Sequence, residues 1–187
     1  MRSSSVGFEV ESLGDEGLRI LIEQDNIAIA GGRPRGTLYG VYEFMERYLG
    51  IRFLTFDHTY VPNVSAWPIP CGDFTYVPQF SFRWSYYREN AVRPDFAARL
   101  RVNTTTDEEK LGGATPQGLI NHSLYRQLPV GKYGKTHPEY FALVDGKRDL
   151  ESHGGGPEPC VTHPDVIEIV ARHVIEELDK TPGRKNI

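Results

Sequence analysis

The chain has 187 residues, of which 39% are hydrophobic, 11% aromatic and 25% charged, with a formal net charge of −4. That length fits one large domain, or a small domain joined to part of another, and the composition is that of a folded soluble protein. Dispersed Lys and Arg under a net negative charge argue against nucleic acid or an anionic membrane as the main partner, and no apolar run approaches the ~20 residues of a membrane span.

The opening residues, Met1-Arg2-Ser3-Ser4-Ser5, lack the apolar core of a signal peptide. Residues 8–11 alternate like a half-buried strand, residues 13–17 read as a turn, and residues 18–22 as a second strand. Gln24-Asp25-Asn26 makes another turn before a third strand over residues 27–30. Links this short favour antiparallel neighbours.

The strongest periodic signal follows. After Pro34 and Gly36, two apolar rows, Thr37, Val41, Phe44, Tyr48 and Leu38, Tyr42, Met45, Leu49, predict one broad helix face that needs a sheet to cover it. Tyr39, Glu43, Glu46 and Arg47 fall on the other side, with Glu43 and Arg47 spaced for an i,i+4 pair. Gly50 stands where a left-handed residue closes a helix. Residues 51–54 are expected to return as a strand, giving a small mixed sheet-plus-helix layer of about 70 residues, marginal alone at that size.

Between Tyr60 and Pro78 four prolines confine any strand to an edge, and the domain boundary is expected near Gly72. That divides the chain into residues 1–72 and 73–187. In the second part, residues 80–84 and 102–105 are strand candidates flanking a short helix over 94–101. A glycine-rich loop spans 111–118, residues 119–128 are ambiguous, and residues 141–144 read as a strand before the tight turn Asp145-Gly146. Residues 160–162 are a short strand candidate feeding a helix from Pro164, with Asp165 in its first turn. Val166, Ile167, Val170, Ala171, Val174, Ile175 and Leu178 form its expected apolar face. Serial strand–helix units of this kind are the first units of an incomplete (β/α)8 barrel, which typically takes ~250 residues. The chain is therefore expected to be the N-terminal piece of a longer protein, with a self-contained three-layer α/β domain as the alternative.

Few residues announce chemistry. Gly31-Gly32-Arg33-Pro34-Arg35-Gly36 has neither nucleotide-binding spacing, and Pro34 removes a backbone donor, so it reads as a structural turn and no cofactor is expected. The six histidines and two cysteines show no metal-ligand spacing, and Cys71 and Cys160 are expected as buried free thiols, with pairing in an oxidising compartment as the alternative. Asp107-Glu108-Glu109 reads as solvated surface. Arg83 and Trp84 end the first strand of the serial region, where an Arg could fork onto oxygens and a Trp face could stack on a sugar. Either could equally be a buried ion pair and a core aromatic. His122 follows the glycine-rich loop, and His163, at a strand-to-helix junction, could cap the helix or touch ligand.

Several segments together resemble known families. Residues 35–46 and 49–53 (RGTLYGVYEFME, then LGIRF) resemble the domain preceding the barrel in glycoside hydrolase family 67 α-glucuronidases and, more distantly, in family 20 β-hexosaminidases. Residues 78–83, PQFSFR, resemble the first barrel strand of that group. The segments at His122-Ser123-Leu124-Tyr125, at residues 137–148 (HPEYFALVDGKR) and at 160–166 (CVTHPDV) are similar, in that order, to the domain of unknown function 4838 family. The resemblance implies an accessory domain followed by a barrel, a carbohydrate substrate, and a secreted or periplasmic location. In that reading Arg83, Trp84, His122 and His163 are the substrate-binding candidates, and the catalytic carboxylates are expected beyond residue 187. His163 stands where the family pattern usually has Asn. A non-catalytic carbohydrate-binding or structural module is the competing expectation.

Overall fold

The computed structural model describes residues 9–63, 68–116, 123–151 and 156–180. The chain is mixed α/β and divides into two compact units, Met1–Pro116 and Gln117–Ile187.

The first unit is built on a three-stranded antiparallel sheet of β1 (Leu18–Glu23), β2 (Asn26–Gly31) and β5 (Gly72–Tyr76), in the order β2-β1-β5. Between β2 and β5 come α1 (Gly36–Tyr48) and a separate two-residue pair, β3 (Arg52–Phe53) with β4 (Thr59–Tyr60). The alternation of β1 sends Leu18, Ile20 and Ile22 to one face, where they are buried with Tyr39 against Ile29, Tyr42, Phe44, Tyr48 and Phe74. The central strand thus supplies the core, and α1 lies across it as its periodicity requires. Gly50, at φ 67°, ends α1 in the expected left-handed position. The edge place of β5 fits the prolines around it. On its outer face Arg19 forks onto Asp73, donating from Nε and Nη2 at 2.9 and 2.7 Å.

Several expectations are corrected here. Glu11–Leu13 is a short 3-10 turn, not part of a strand, because the backbone closes on itself through Leu13 N–H to Val10 and Gly17 N–H to Leu13. Tyr39 faces the sheet and is 1% exposed, so α1 is covered on more than the face its pattern marked. Residues 51–54 do not rejoin the main sheet. The compact units divide after Pro116, and the strand beginning at Gly72 is hydrogen-bonded to β1. Cys71 is exposed, and both cysteines are free thiols.

Residues 80–84 and 102–105 run beside each other without becoming strands. Asn103 N–H donates to the Arg83 carbonyl at 3.2 Å, but Arg83 N–H donates in return to the Asn103 side-chain Oδ1 at 2.9 Å rather than to a backbone carbonyl. A side chain in that place stops the ladder from propagating. Short helices α2 (Arg88–Val92) and α3 (Pro94–Arg99) join the two segments.

The second unit contains α4 (Leu124–Gln127), α5 (Val130–Tyr133), the hairpin β6 (Leu143–Val144) with β7 (Lys147–Arg148), and α6 (Pro164–Lys180). The expected tight turn is present, with Asp145 and Gly146 at φ 50° and 75°. Val166 of α6 is buried with Leu128, Tyr140 and Phe141, and Ile169 and Val170 pack beside it. Ile167, Ile175 and Leu178, expected on the same face, are exposed. The 160–162 candidate is only flanked by one bridge, Phe141 to Pro159, because Cys160 turns to accept from His163 N–H at 2.9 Å. Among the described residues every strand pairing is antiparallel, so the serial parallel units of a barrel are not seen.

One close approach decides how the first unit is assembled. The turn at residues 14–17 lies against residues 31–36, with Gly32 N–H donating to Gly17 at 2.9 Å. A Cβ on Gly32 would sit 1.5 Å from the Gly14 carbonyl oxygen, whereas one on Gly72 would meet nothing within 4 Å. Gly32→Ala is therefore expected to cost about 1–3 kcal/mol in urea unfolding, while Gly72→Ala is nearly neutral. Equal effects would show that the two turns are not packed this tightly.

Candidate functional site

The packed turns bring Glu16 and Arg35 together in the interior of the first unit, each 6% exposed. A buried carboxylate is costly, by several kcal/mol, unless its oxygens are paired and hydrogen-bonded. Glu16 meets that need fully. Arg35 Nε binds one oxygen, Arg83 Nη2 binds the other, and Asn103 Nδ2 donates to both at 3.1 and 3.0 Å. The remaining donors are also used. Arg35 reaches the carbonyls of Gly112 and Gly113 at 3.0 and 2.6 Å and the Thr115 hydroxyl at 2.7 Å. Gly112 and Gly113 sit at φ 87° and 68°, a left-handed pair that aims successive carbonyls at one guanidinium. Arg83 donates from Nε to Arg101 O at 2.9 Å and from Nη1 to Phe80 O at 2.7 Å.

Beside this cluster lies a cleft of about 280 Å³ lined by Glu16, Tyr39, Glu43, Tyr76, Arg83 and Arg101, among others. Arg101, held at φ 59°, donates to Glu43 at 2.8 Å and also pairs with Glu46, while Glu43 accepts from Arg47 at 3.1 Å as its spacing predicts. Tyr39 is the exception to this pairing. Its hydroxyl is buried and has no hydrogen-bond partner, and the Arg83 guanidinium stands 5.8 Å from the ring centre. Burial first, and then the Glu16 charge, push the phenol up from 10.0 to about 12. The cleft is therefore walled by guanidinium groups and carboxylates already matched to each other, with the Tyr39 hydroxyl buried behind them. Such a lining suits an uncharged, hydroxyl-rich ligand better than a proton-transfer step.

Arg83 thus reaches both the ion cluster and the cleft. Trp84, next in the chain, stacks on Tyr86 with centroids 4.5 Å apart and meets Phe82 edge-on at 6.2 Å. Phe80, Tyr86 and Tyr87 are 73%, 73% and 78% exposed, an uncommon concentration of aromatic surface. His163 belongs to the second unit. Its carbonyl accepts Ile167 N–H at 3.1 Å and its Nδ1 accepts Asp165 N–H at 3.3 Å, so it caps α6, while its ring meets Tyr140 edge-on at 4.9 Å. Tyr140 is stacked on its other side by His137, and its hydroxyl donates to Asp165 at 2.9 Å. His122 lies outside the described residues. Of the expected site residues, Arg83 lines the cleft, while the Trp84 ring packs on Phe82 and Tyr86.

Glu16, Arg35, Tyr39 and Asn103 escaped sequence reasoning. An acid between a turn's glycines looks like surface, and its Asn103 partner lies 87 residues away. Among the described residues no group of three or more His, Cys, Asp or Glu side chains could hold a metal ion, and no helix is long and apolar enough to cross a membrane.

These features define a mixed α/β protein with small antiparallel sheets and a charge-balanced polar cleft. The family model described as Domain of unknown function (DUF4838) matches residues 53–187, and the chain belongs to that family. No curated protein and no solved structure matches it. The matched residues include Arg83, Trp84, Asn103 and His163, whereas Glu16, Arg35 and Tyr39 precede them.

The orphan hydroxyl gives a direct test. Because its ionisation is raised in the folded state, the stability it confers is complete below about pH 10 and is lost as pH rises through about 12. Tyr39→Phe should leave stability near pH 7 within about 1 kcal/mol, since no partner is lost, and should flatten the fall of unfolding free energy between pH 10 and 12. A larger loss at pH 7 would mean that the hydroxyl is bonded after all.

Proposed function

We propose that the chain contributes the N-terminal part of a glycoside-hydrolase-like protein, α-glucuronidase-like, that takes part in polysaccharide breakdown. Its own role in this reading is to bind carbohydrate. The observation that carries it is the Trp84–Tyr86 stack with its exposed neighbours, beginning one residue after Arg83 of the cleft wall. The C–H face of a sugar ring is apolar and settles on such rings, while its hydroxyls exchange hydrogen bonds with groups like the Arg101 guanidinium and the Glu43 carboxylate of the cleft wall.

The cleft also speaks to catalysis. Glycoside hydrolysis usually needs two carboxyl groups about 5–10 Å apart across the scissile bond, one of them able to give up a proton. Glu16 and Glu43 each accept from guanidinium groups instead. The reading therefore takes its catalytic acid and base from beyond residue 187, as the glycosidase resemblance implies. A secreted or periplasmic location goes with that resemblance. The same paired carboxylates favour the second reading, a carbohydrate-binding or structural module without turnover.

Isothermal titration with xylo-, cello- and glucuronoxylo-oligosaccharides tests the binding claim. Trp84→Ala and Tyr86→Ala should weaken binding at least about tenfold, equivalent to ~1.4 kcal/mol, with little change in melting temperature for the exposed Tyr86. Arg83→Ala is a poorer probe, because it also removes a partner of Glu16. The 187-residue chain alone should release no glucuronic acid or hexosamine. Binding untouched by both aromatic variants would defeat the site, and release of either sugar would defeat the division of labour.

A further inference from the structure

The second unit holds a cleft of its own, about 280 Å³, lined in part by Arg126 and Gln127 of α4, Lys132 and Tyr133 of α5, and Arg172 and Glu176 of α6. Arg172 and Glu176 are spaced i,i+4 and so share one stripe of α6. Three cationic side chains thus converge on a space lined by one carboxylate among these six. Their present engagements are slight. Arg172 pairs with Glu168 where both are well over half exposed, Arg126 donates to the neighbouring Tyr125 hydroxyl at 3.3 Å, and Lys132 lies 4.9 Å above the ring of Tyr133.

An independent feature points to a ligand. Gln127 is 4% exposed, and its Oε1 is buried with no hydrogen-bond partner. Buried acceptors are seldom left unpaired, and this one belongs to a residue of the cleft wall. It needs an O–H or N–H donor, which a bare anion cannot supply. The volume lies near the lower end of the ~300–1,000 Å³ usual for small-ligand sites, the scale of a single ring.

We infer that this cleft binds one acidic sugar unit. Its carboxylate, sulfate or phosphate is held by Arg126, Lys132 and Arg172, and a ring hydroxyl donates to Gln127 Oε1. The naming of a sugar rests on the carbohydrate reading above, whereas the site rests on the second unit's own geometry.

Titrating the whole chain with glucuronate, glucose 6-sulfate, glucose 6-phosphate, glucose and inorganic sulfate tests it, and comparison of the three acidic sugars identifies the charged group. At least one acidic sugar should bind saturably, with glucose and inorganic sulfate at least tenfold weaker and with affinity falling as salt rises. The exposed pair Arg126→Ala with Arg172→Ala should lower that affinity at least tenfold, and Trp84→Ala should leave it unchanged. Inorganic sulfate binding as tightly as the acidic sugars would overturn the inference. So would affinity indifferent to the double variant or abolished by Trp84→Ala. Acidic-sugar binding that passes these tests while neutral oligosaccharides ignore Trp84 and Tyr86 supports this site and counts against the first unit's proposed role.

Discussion

The Glu16 carboxylate is the constraint around which the first unit is arranged. A lone carboxylate at 6% exposure would be expelled or neutralised, so the fold is tenable only if several donors arrive together. They come from three places in the chain: Arg35 at the start of α1, Arg83 after β5, and Asn103 beyond α3. Each contact closes a long loop, and the entropic cost of closure rises only slowly with length. Once one partner is seated, the others join a partly closed structure. The glycines at 32 and 36 let the Glu16 turn and the α1 entry approach closely enough for this to happen.

From that cluster the cleft follows. Arg83 is fixed by Glu16 on one side and by the carbonyls of Phe80 and Arg101 on the other, so it forms a rigid wall. Arg101 in turn ties the chain after α3 to Glu43 and Glu46 on α1. Guanidinium and carboxylate groups are balanced throughout, and the Tyr39 hydroxyl remains without a partner. A preorganised wall of this type suits recognition of neutral hydroxyl groups, because its charges need no rearrangement when ligand arrives. Positioning of the Trp84–Tyr86 stack immediately after Arg83 places an aromatic surface on the same stretch of backbone.

Local signals were readable from the sequence and distant ones were not. The β1–β2 hairpin, α1 with its Gly50 stop, the Asp145-Gly146 turn and the start of α6 all rest on neighbours within a few residues, where periodicity and turn chemistry decide. Residues 80–84 and 102–105 have strand-like sequences, but the Asn103 side chain takes the place of a backbone partner, and composition cannot reveal that. Tyr39 looked like part of a polar face because Glu43 and Glu46 share it; those acids are covered by Arg101, 58 residues from Glu43. Arg83 and Trp84 were visible as candidates by residue type. Glu16 was not, since its burial depends wholly on residues far along the chain.

Glu16 and its cations act as one coupled unit. A double-mutant cycle of Glu16→Gln and Arg35→Met, followed by urea unfolding near pH 7, measures that coupling. An interaction energy of about 2 kcal/mol or more between the two substitutions is expected, since each alone strands the other's charge. Additivity within about 0.5 kcal/mol would contradict it, and Glu16 would then be a surface acid beside two arginines.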